Sequence, residues 1–346
     1  MINVGIVGAT GYVGIECIRL LLGHKDVLIK ILVSHSFVGQ KISNIYPTLR
    51  GVLDLECQNL DVDVLTKECD VVITALPHGA SMEVIPKLLE GGVKVIDASG
   101  DFRYKDAKIY EQWYKVQHTA PELLIDAVYG LCELNRDKIK KTNFVANPGC
   151  YPTCSVLGLA PLMNTDYIKK ESIIIDSVSG ASGAGRKADL GYTVCELSDN
   201  FKPYGVSTHR HTSEIEEQLS ILAGDDMKVS FTPHLAPFKR GMLSTIYVDL
   251  IKETDTDELL SLYKDYYKDN FFVRILDKGT MPEVKFVAGS NFVDIGIVVD
   301  KRLNRAVIMS CQDNLCKGAA GQIVQNLNLM CGFDEKEALS SPGLYL

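Results

Sequence analysis

The sequence predicts an α/β fold. An N-terminal doubly wound parallel sheet is followed by an α+β half with a largely antiparallel sheet, and a C-terminal helix returns to the first domain. Three observations carry this. Strand-like runs alternate with helical patterns in the first part of the chain. Longer strand-like runs joined by Gly-, Ser- and Pro-rich turns begin near Ile173, and helical spacing reappears over Asn314–Met330.

The elements follow in order. Ile2–Val7 reads as a β-branched strand, residues 8–14 as a glycine-rich turn, and Tyr12–Leu22 as a helix with apolar residues at helical spacing. Strands are expected at Leu28–Val33, Asp70–Leu76 and Val93–Asp97, with a helix over Ser81–Glu90. In the second half, strands are expected at Ile173–Val178, Val229–Pro233, Leu243–Ile251 and Phe292–Val299. Asn314–Met330 reads as one long helix with Leu315, Ala319, Ile323, Leu327 and Met330 on one side. Expected domain boundaries are 1–149, completed by 313–346, and 150–312.

The 346 residues carry 36 Lys+Arg against 44 Asp+Glu, a net charge of −8, with 46% apolar and 23% charged residues. That composition argues against disorder and disulfide mini-scaffolds. An acidic balance without a basic tract argues against nucleic acid or an anionic membrane as the main partner. No apolar run approaches the ~18 residues that cross a bilayer. The first residues enter a strand without a basic leader, so a cytoplasmic location with mostly reduced cysteines is expected.

Gly8, Thr10, Gly11, Tyr12, Val13 and Gly14 form a G-x-x-G-x-x-G turn between the first strand and its helix. This is a variant of the Rossmann-like dinucleotide fingerprint, in which bare backbone lets helix N-terminal amides meet a pyrophosphate. The second strand ends at Ser34-His35-Ser36 with Lys41 nearby. An acidic residue there would hold a ribose 2′-hydroxyl; its absence, with Ser34 and Ser36 in place, predicts NADP(H).

Asn147-Pro148-Gly149-Cys150-Tyr151-Pro152-Thr153 puts a cysteine where a strand-like run meets a new helix, with Pro152 in the first turn. A thiolate at a helix start is stabilised by the dipole and by amides, and beside a nicotinamide site it suggests thioester chemistry. Cys150 is therefore the candidate nucleophile, and the other nine cysteines read as structural. Cys154 reads as a packing residue near the site, since no Cys/His pair matches a metal or disulfide reading of C-x-x-x-C.

Eight blocks, in order along nearly the whole chain, resemble the N-acetyl-gamma-glutamyl-phosphate reductase family of the aspartate-semialdehyde dehydrogenase superfamily. They are residues 8–14, L-P-H-G at 76–79, S-G-D-F-R at 99–103 and N-P-G-C-Y-P-T at 147–153. S-G-A-S-G-A-G-R at 179–186, H-R-H-T-S-E-I at 209–215, H-L-A-P-F-K-R-G at 234–241 and D-N-L-C-K-G-A-A-G-Q at 313–322 complete the set. Two departures are visible: Cys154 where the family commonly has Gly or Ala, and Ser213 where it commonly has Pro.

The resemblance implies NADPH-dependent reduction of N-acetyl-glutamyl 5-phosphate to the 5-semialdehyde and phosphate, through a Cys150 thioester, in arginine biosynthesis. It implies His211 as acid–base, a role suited to an unperturbed pKa of roughly 6.5. His209 is the competing choice and a substrate-site candidate, as is Asn147. A metal reading of His209-Arg210-His211 lacks supporting ligands, so no metal is expected. The substrate's phosphate and carboxylate call for cations. Arg103 and Arg186 are phosphate candidates and Arg240 a carboxylate candidate, though each could be an ordinary ion pair. Ser182, Gly183 and Asn314 are expected on the cofactor side. The second domain is expected to be catalytic and dimerising, in a homodimer or homotetramer. Alternatives are an aspartyl phosphate or carrier-bound aminoadipyl phosphate substrate, and a non-catalytic nucleotide sensor, which predicts loss of the cysteine or histidine.

Overall fold

The computed structural model describes residues 1–186 and 188–345. Two compact units result: residues 1–148 with 319–340, and residues 149–318 with 341–346.

Unit 1 begins with β1 (Ile2–Val7), α1 (Tyr12–Leu21), β2 (Val27–Val33), α2 (Ile42–Ile45), β3 (Cys57–Gln58), α3 (Val62–Glu68) and β4 (Val71–Thr74). It continues with α4 (Ser81–Glu90), β5 (Lys94–Asp97), α5 (Ala107–Tyr114), β6 (Val128–Tyr129), α6 (Cys132–Ile139) and β7 (Phe144–Ala146). The final helix α12 (Gly321–Cys331) belongs to it as well. The strands pair in the order β3-β2-β1-β4-β5-β7-β6, all parallel. Val4, Ile6, Val71, Val72, Ile73, Val95, Ile96 and Val145 are fully buried. Continuous apolar runs are what a parallel sheet covered on both faces requires. The chain order reverses direction between β1 and β4, so the turn after β1 sits at the topological switch point.

The crest beside that turn is fixed by one buried carboxylate. Asp97, at the end of β5, accepts hydrogen bonds from Thr74 at the end of β4 (2.7 Å), from Ser81 at the start of α4 (2.9 Å) and from the Ser99 amide (3.2 Å). Burial pushes its pKa up, against the lowering effect of these donors. Helix α12 is buried along Gly321–Met330, and its amide side chains find partners. Gln322 and Asn326 both donate to the Gly130 carbonyl at 2.8 Å, and Asn326 also donates to the Asn147 side chain at 3.1 Å.

Unit 2 contains α7 (Cys150–Met163), β8 (Ile174–Gly180), α8 (Val194–Leu197), β9 (Lys202–Pro203), α9 (His211–Ala223) and β10 (Ser230–Ala236). β11 (Met242–Asp249), α10 (Thr256–Tyr266), β12 (Val273–Ile275), α11 (Val284–Val287), β13 (Val293–Asp300) and β14 (Arg305–Gln312) follow. The sheet order is β12-β13-β14-β11-β8-β10-β9. β8 with β10 and β12 with β13 are parallel, and the other four pairings are antiparallel.

One expected element is corrected. The helical stretch expected over Asn314–Met330 is not α throughout: it opens with a π-type turn, Cys316–Ala320, that runs directly into α12. Its cause is local. Asp313 takes the amides of Leu315 (2.8 Å) and Cys316 (2.9 Å) on its side chain, and its carbonyl takes the amide of Gly318, five residues on (2.9 Å).

Helix α7 is buried from Tyr151 to Met163 although Pro161 interrupts its hydrogen bonding. Pro161 has no N–H to give to the Leu157 carbonyl one turn back. The Tyr267 hydroxyl donates to that carbonyl at 2.6 Å, and the Tyr263 hydroxyl donates to the Gly158 carbonyl at 2.6 Å. Tyr267→Phe should therefore cost about 1–3 kcal/mol by leaving a buried carbonyl unpaired. Urea unfolding measures it; a loss below about 0.5 kcal/mol would contradict this reading.

Candidate active site

In unit 1 the glycine turn packs too closely on backbone for side chains at Gly8 and Gly14, which leaves a bare-backbone cradle at the start of α1. Gly8 has φ +87°, and a Cβ there would lie 2.3 Å from the Ala75 carbonyl oxygen; one at Gly14 would lie 2.4 Å from the Gly8 oxygen. Gly11 is the N-cap of α1 and the helix has no side-chain cap. Its first-turn amides therefore face whatever occupies the cradle, which suits a pyrophosphate. The Thr10 and Ser34 hydroxyls are 2.8 Å apart, joining the turn to the end of β2, and the Tyr46 hydroxyl donates to the Thr10 carbonyl at 2.7 Å. Ser36 is exposed beyond Ser34, and residues 34–41 contain no carboxylate. These residues fit a dinucleotide with a 2′-phosphate. Tyr12 is exposed on the first turn, with Val13 half-buried beside it.

Arg103 is buried and held on backbone: Nε donates to the Asn147 carbonyl and Nη2 to the Ala98 carbonyl, each at 2.8 Å. Asn147, also buried, donates to the Ala319 carbonyl at 3.4 Å and has its amide on the Asp97 carbonyl at 2.7 Å. The structure thus brings Arg103 and Asn147 together on the residues leading to Cys150.

In unit 2, Cys150 is the first residue of α7, half-buried, after a Gly149 N-cap with no side-chain cap. Pro152 has no donor, and Thr153 returns both its amide (3.0 Å) and its hydroxyl (2.9 Å) to the Gly149 carbonyl. The second histidine of H-R-H starts α9. Tyr151, next to Cys150, meets both histidine rings edge-on, His209 at 5.6 Å and His211 at 5.9 Å between centroids. The two imidazoles lie 4.9 Å apart. His209 Nδ1 accepts the His211 amide at 3.1 Å, which orients the start of α9. Burial, reinforced by Arg210, lowers the His209 pKa to about 4, so this ring is neutral at pH 7. The Tyr151 and Tyr204 hydroxyls are 2.9 Å apart, and burial raises both phenols above their usual range.

A second cluster gathers Arg240, Asn314 and Ser182. Arg240 makes a two-pronged ion pair with fully buried Asp313, Nε to Oδ2 at 2.9 Å and Nη2 to Oδ1 at 3.1 Å. Asn314 accepts the Gly241 amide at 2.7 Å and donates to Ser182 at 3.0 Å. A Cβ on Gly183 would lie 3.6 Å from the Asn314 amide nitrogen. Arg186 is exposed on a bend three residues after Gly183. Cys154 packs in the core, its thiol directed at the Ser310 carbonyl at 3.0 Å. Among the described residues, no group of three or more His, Cys, Asp or Glu is placed to hold a metal. Nor is any described helix long and apolar enough to cross a membrane.

Sequence reasoning passed over Tyr151, Tyr204, Glu214, Gln312 and Asp313. Glu214 carried a usable signal: it lies one turn from His211 on the same helical face. Asp313 carried another, as the acid beside Asn314 in D-N-L. Tyr204 and Gln312 gave none, since only the tertiary fold brings them to the site.

The His209 shift gives a pH dependence. The unfolded chain takes up the proton near 6.5 and the folded chain only near 4, so stability present above 6.5 is lost as pH falls through that window. Between pH 7 and pH 5, the native chain should lose about 2 kcal/mol more than His209→Asn, which keeps an acceptor but does not titrate. Parallel urea unfolding at the two pH values measures it, and equal losses would contradict the assignment.

Comparisons with known proteins agree with this architecture. The profile of the semialdehyde dehydrogenase NAD binding domain matches residues 3–142, and that of the semialdehyde dehydrogenase dimerisation domain matches residues 150–314. An N-acetyl-gamma-glutamyl-phosphate reductase of Acetivibrio thermocellus is 59% identical over 346 residues, covering 100% of both chains. One of Caldicellulosiruptor saccharolyticus is 52% identical over 345 residues, again covering 100% of both. Among solved structures, aspartate semialdehyde dehydrogenase II of Vibrio cholerae shares the fold at TM-score 0.74 and 18% identity, over 96% of this chain and 98% of that one. The Candida albicans aspartate semialdehyde dehydrogenase with NADP gives TM-score 0.70 at 18% identity, with the same coverage. With a glycine cradle in one unit and a cysteine-headed helix in the other, the chain belongs to the semialdehyde dehydrogenase family, in the branch of the N-acetyl-gamma-glutamyl-phosphate reductases.

Proposed function

We propose that this chain reduces N-acetyl-glutamyl 5-phosphate to N-acetyl-glutamate 5-semialdehyde, releasing phosphate, as a step of arginine biosynthesis in the cytoplasm. The observation that carries it is Cys150 at the uncapped start of α7, next to Tyr151, whose ring meets the paired histidines, in a chain matching reductases of that name end to end.

The Cys150 sulfur, as thiolate, attacks the γ-carbonyl carbon, and the C–O bond to phosphate breaks to leave a thioester. Its position on the first turn places developing oxyanion charge near main-chain amides, where a helix N-terminus stabilises it. NADPH, when bound, would supply the hydride needed to reduce this thioester. The resulting alkoxide collapses, the C–S bond breaks, and aldehyde and thiolate are released. His211 takes the thiol proton at the start and steadies charge at the reacting oxygen. His209 is neutral and holds the His211 backbone, which supports assigning the acid–base role to His211. His209 then contributes an imidazole edge to the substrate pocket.

The cradle of Gly8, Thr10, Gly11, Tyr12, Val13 and Gly14 would hold the NADP(H) pyrophosphate. Ser34 and Ser36 would meet the 2′-phosphate, and Ser182, Gly183 and Asn314 would serve the cofactor. Arg103, with Asn147 ordering it, and Arg186 are assigned to the phosphate. Arg240, fixed by Asp313, is assigned to the carboxylate end. Residues 1–149 with 313–346 are taken as the cofactor domain and 150–312 as the catalytic and dimerising domain.

Helices α7 and α10 cover one face of the unit 2 sheet. On the other, Val178, Leu243, Tyr247, Val307 and Met309 are only half-buried. We assign that face to self-association as a homodimer, the building block of any tetramer.

Turnover, NADPH binding and sedimentation test these assignments. NADP⁺ reduction with N-acetyl-glutamate 5-semialdehyde and phosphate should exceed that with aspartate semialdehyde by at least about 100-fold, and Cys150→Ser should lower it by about 10⁴-fold while NADPH still binds. Equal turnover of the two aldehydes overturns the substrate, and an active Cys150→Ser overturns the nucleophile. Met309→Glu should shift the sedimenting species toward monomer; an unchanged sedimentation coefficient overturns the dimer face.

A further inference from the structure

We infer that Glu214 and Gln312 are positioning residues that grip the peptide groups on either side of Cys150. The inference rests on Cys150 being the nucleophile. The Gly149 amide donates to Glu214 Oε1 at 2.8 Å, and Gln312 Nε2 donates to the Cys150 carbonyl at 2.9 Å. Both side chains are buried, at 1% and 0% exposure.

The need for such a grip follows from the sequence. Pro148 has no N–H to hold the corner before the helix, and the Gly149 N-cap has no side chain with which to cap it. A carboxylate from another helix takes the Gly149 amide instead. Burying a carboxylate is costly unless it is hydrogen-bonded, so its place here is set by this partner set. Glu214 stands three residues after His211 on α9, so the same bond ties the helix bearing the base to the peptide preceding the nucleophile. Gln312, at the end of β14, holds the carbonyl of Cys150 itself. The third side is closed by backbone: a Cβ on Gly318 would lie 2.8 Å from the Cys150 Cβ and 3.2 Å from Gln312 Nε2. Without the two side chains the Pro148-Gly149-Cys150 corner gains freedom to rotate, and the sulfur leaves its attack geometry.

The test measures kcat, KM, NADPH affinity and thermal midpoint in Glu214→Ala, Glu214→Gln and Gln312→Met. Glu214→Ala should lose about 100-fold in kcat with KM and NADPH affinity within about threefold, because a misplacement of order 1 Å acts on the chemical step. Glu214→Gln keeps an acceptor oxygen and should recover to within about tenfold of the native kcat, and Gln312→Met should lose about tenfold. A folded Glu214→Ala with native kcat, or a Glu214→Gln no better than Glu214→Ala, overturns the inference. If Glu214→Ala does not fold, full kcat in Gln312→Met overturns it. Cys150→Ser is assayed alongside: activity there removes the nucleophile, whereas an inactive Cys150→Ser with native Glu214 and Gln312 variants removes only the grip.

Discussion

A helix buried along its length must still begin somewhere, and its first amides must find partners or a ligand. In α7 that beginning is a glycine followed by Cys150, with prolines at 148 and 152 removing two donors. The remaining first-turn groups hold the residues flanking that cysteine. Tyr151 packs against the histidine pair, Thr153 folds back on Gly149, and Glu214 and Gln312 hold the flanking peptides. The rest of unit 2 keeps that helix start in place. Tyr263 and Tyr267 complete the hydrogen bonding that Pro161 interrupts, and the sheet packs closely where a Cβ on Gly158 would come within 2.9 Å of the Ile246 side chain.

Unit 1 applies the same constraint to a different end. The start of α1 is glycine-capped and lacks a side-chain partner, and the loops around it are tied down. Asp97 joins β4, α4 and β5. Asp101 accepts the Gly79 amide at 2.9 and 2.8 Å and the Tyr110 hydroxyl at 2.9 Å. Both carboxylates stand in the stretch 97–101 and act on backbone or hydroxyl groups with no cation in those bonds. L-P-H-G and S-G-D-F-R are thus motifs of loop order as well as of family membership. His78 accepts the Gly100 amide at 2.9 Å and links them.

Much of this was legible in the sequence because it depends on local rules. β1 and α4 fall on the expected residues, and α1 stops one short, since β-branched runs, glycine spacing and helical periodicity are short-range signals. β14 was missed: its Ser310-Cys311-Gln312 end breaks the apolar alternation, and only pairing with β11 and β13 reveals it. The π-type opening of the last helix was hidden because Gly318-Ala319-Ala320 continues a helical pattern, while the bond that reshapes it runs from Gly318 back to Asp313. At the site, Cys150 and the two histidines could be named from motif and context. The partners that fix them could not. Tyr204, Gln312 and Asp313 meet Tyr151, Cys150 and Arg240 across 53, 162 and 73 residues of chain, distances over which a sequence pattern carries no geometric information.

The central claim is covalent: the acyl group passes through the Cys150 sulfur. Mixing the native chain with N-acetyl-glutamyl 5-phosphate in the absence of NADPH, quenching in acid and mapping peptides by mass spectrometry tests it most directly. The account predicts one N-acetyl-glutamyl thioester, on the peptide bearing Cys150. An unmodified Cys150, or an adduct confined to another cysteine such as exposed Cys195, would contradict it.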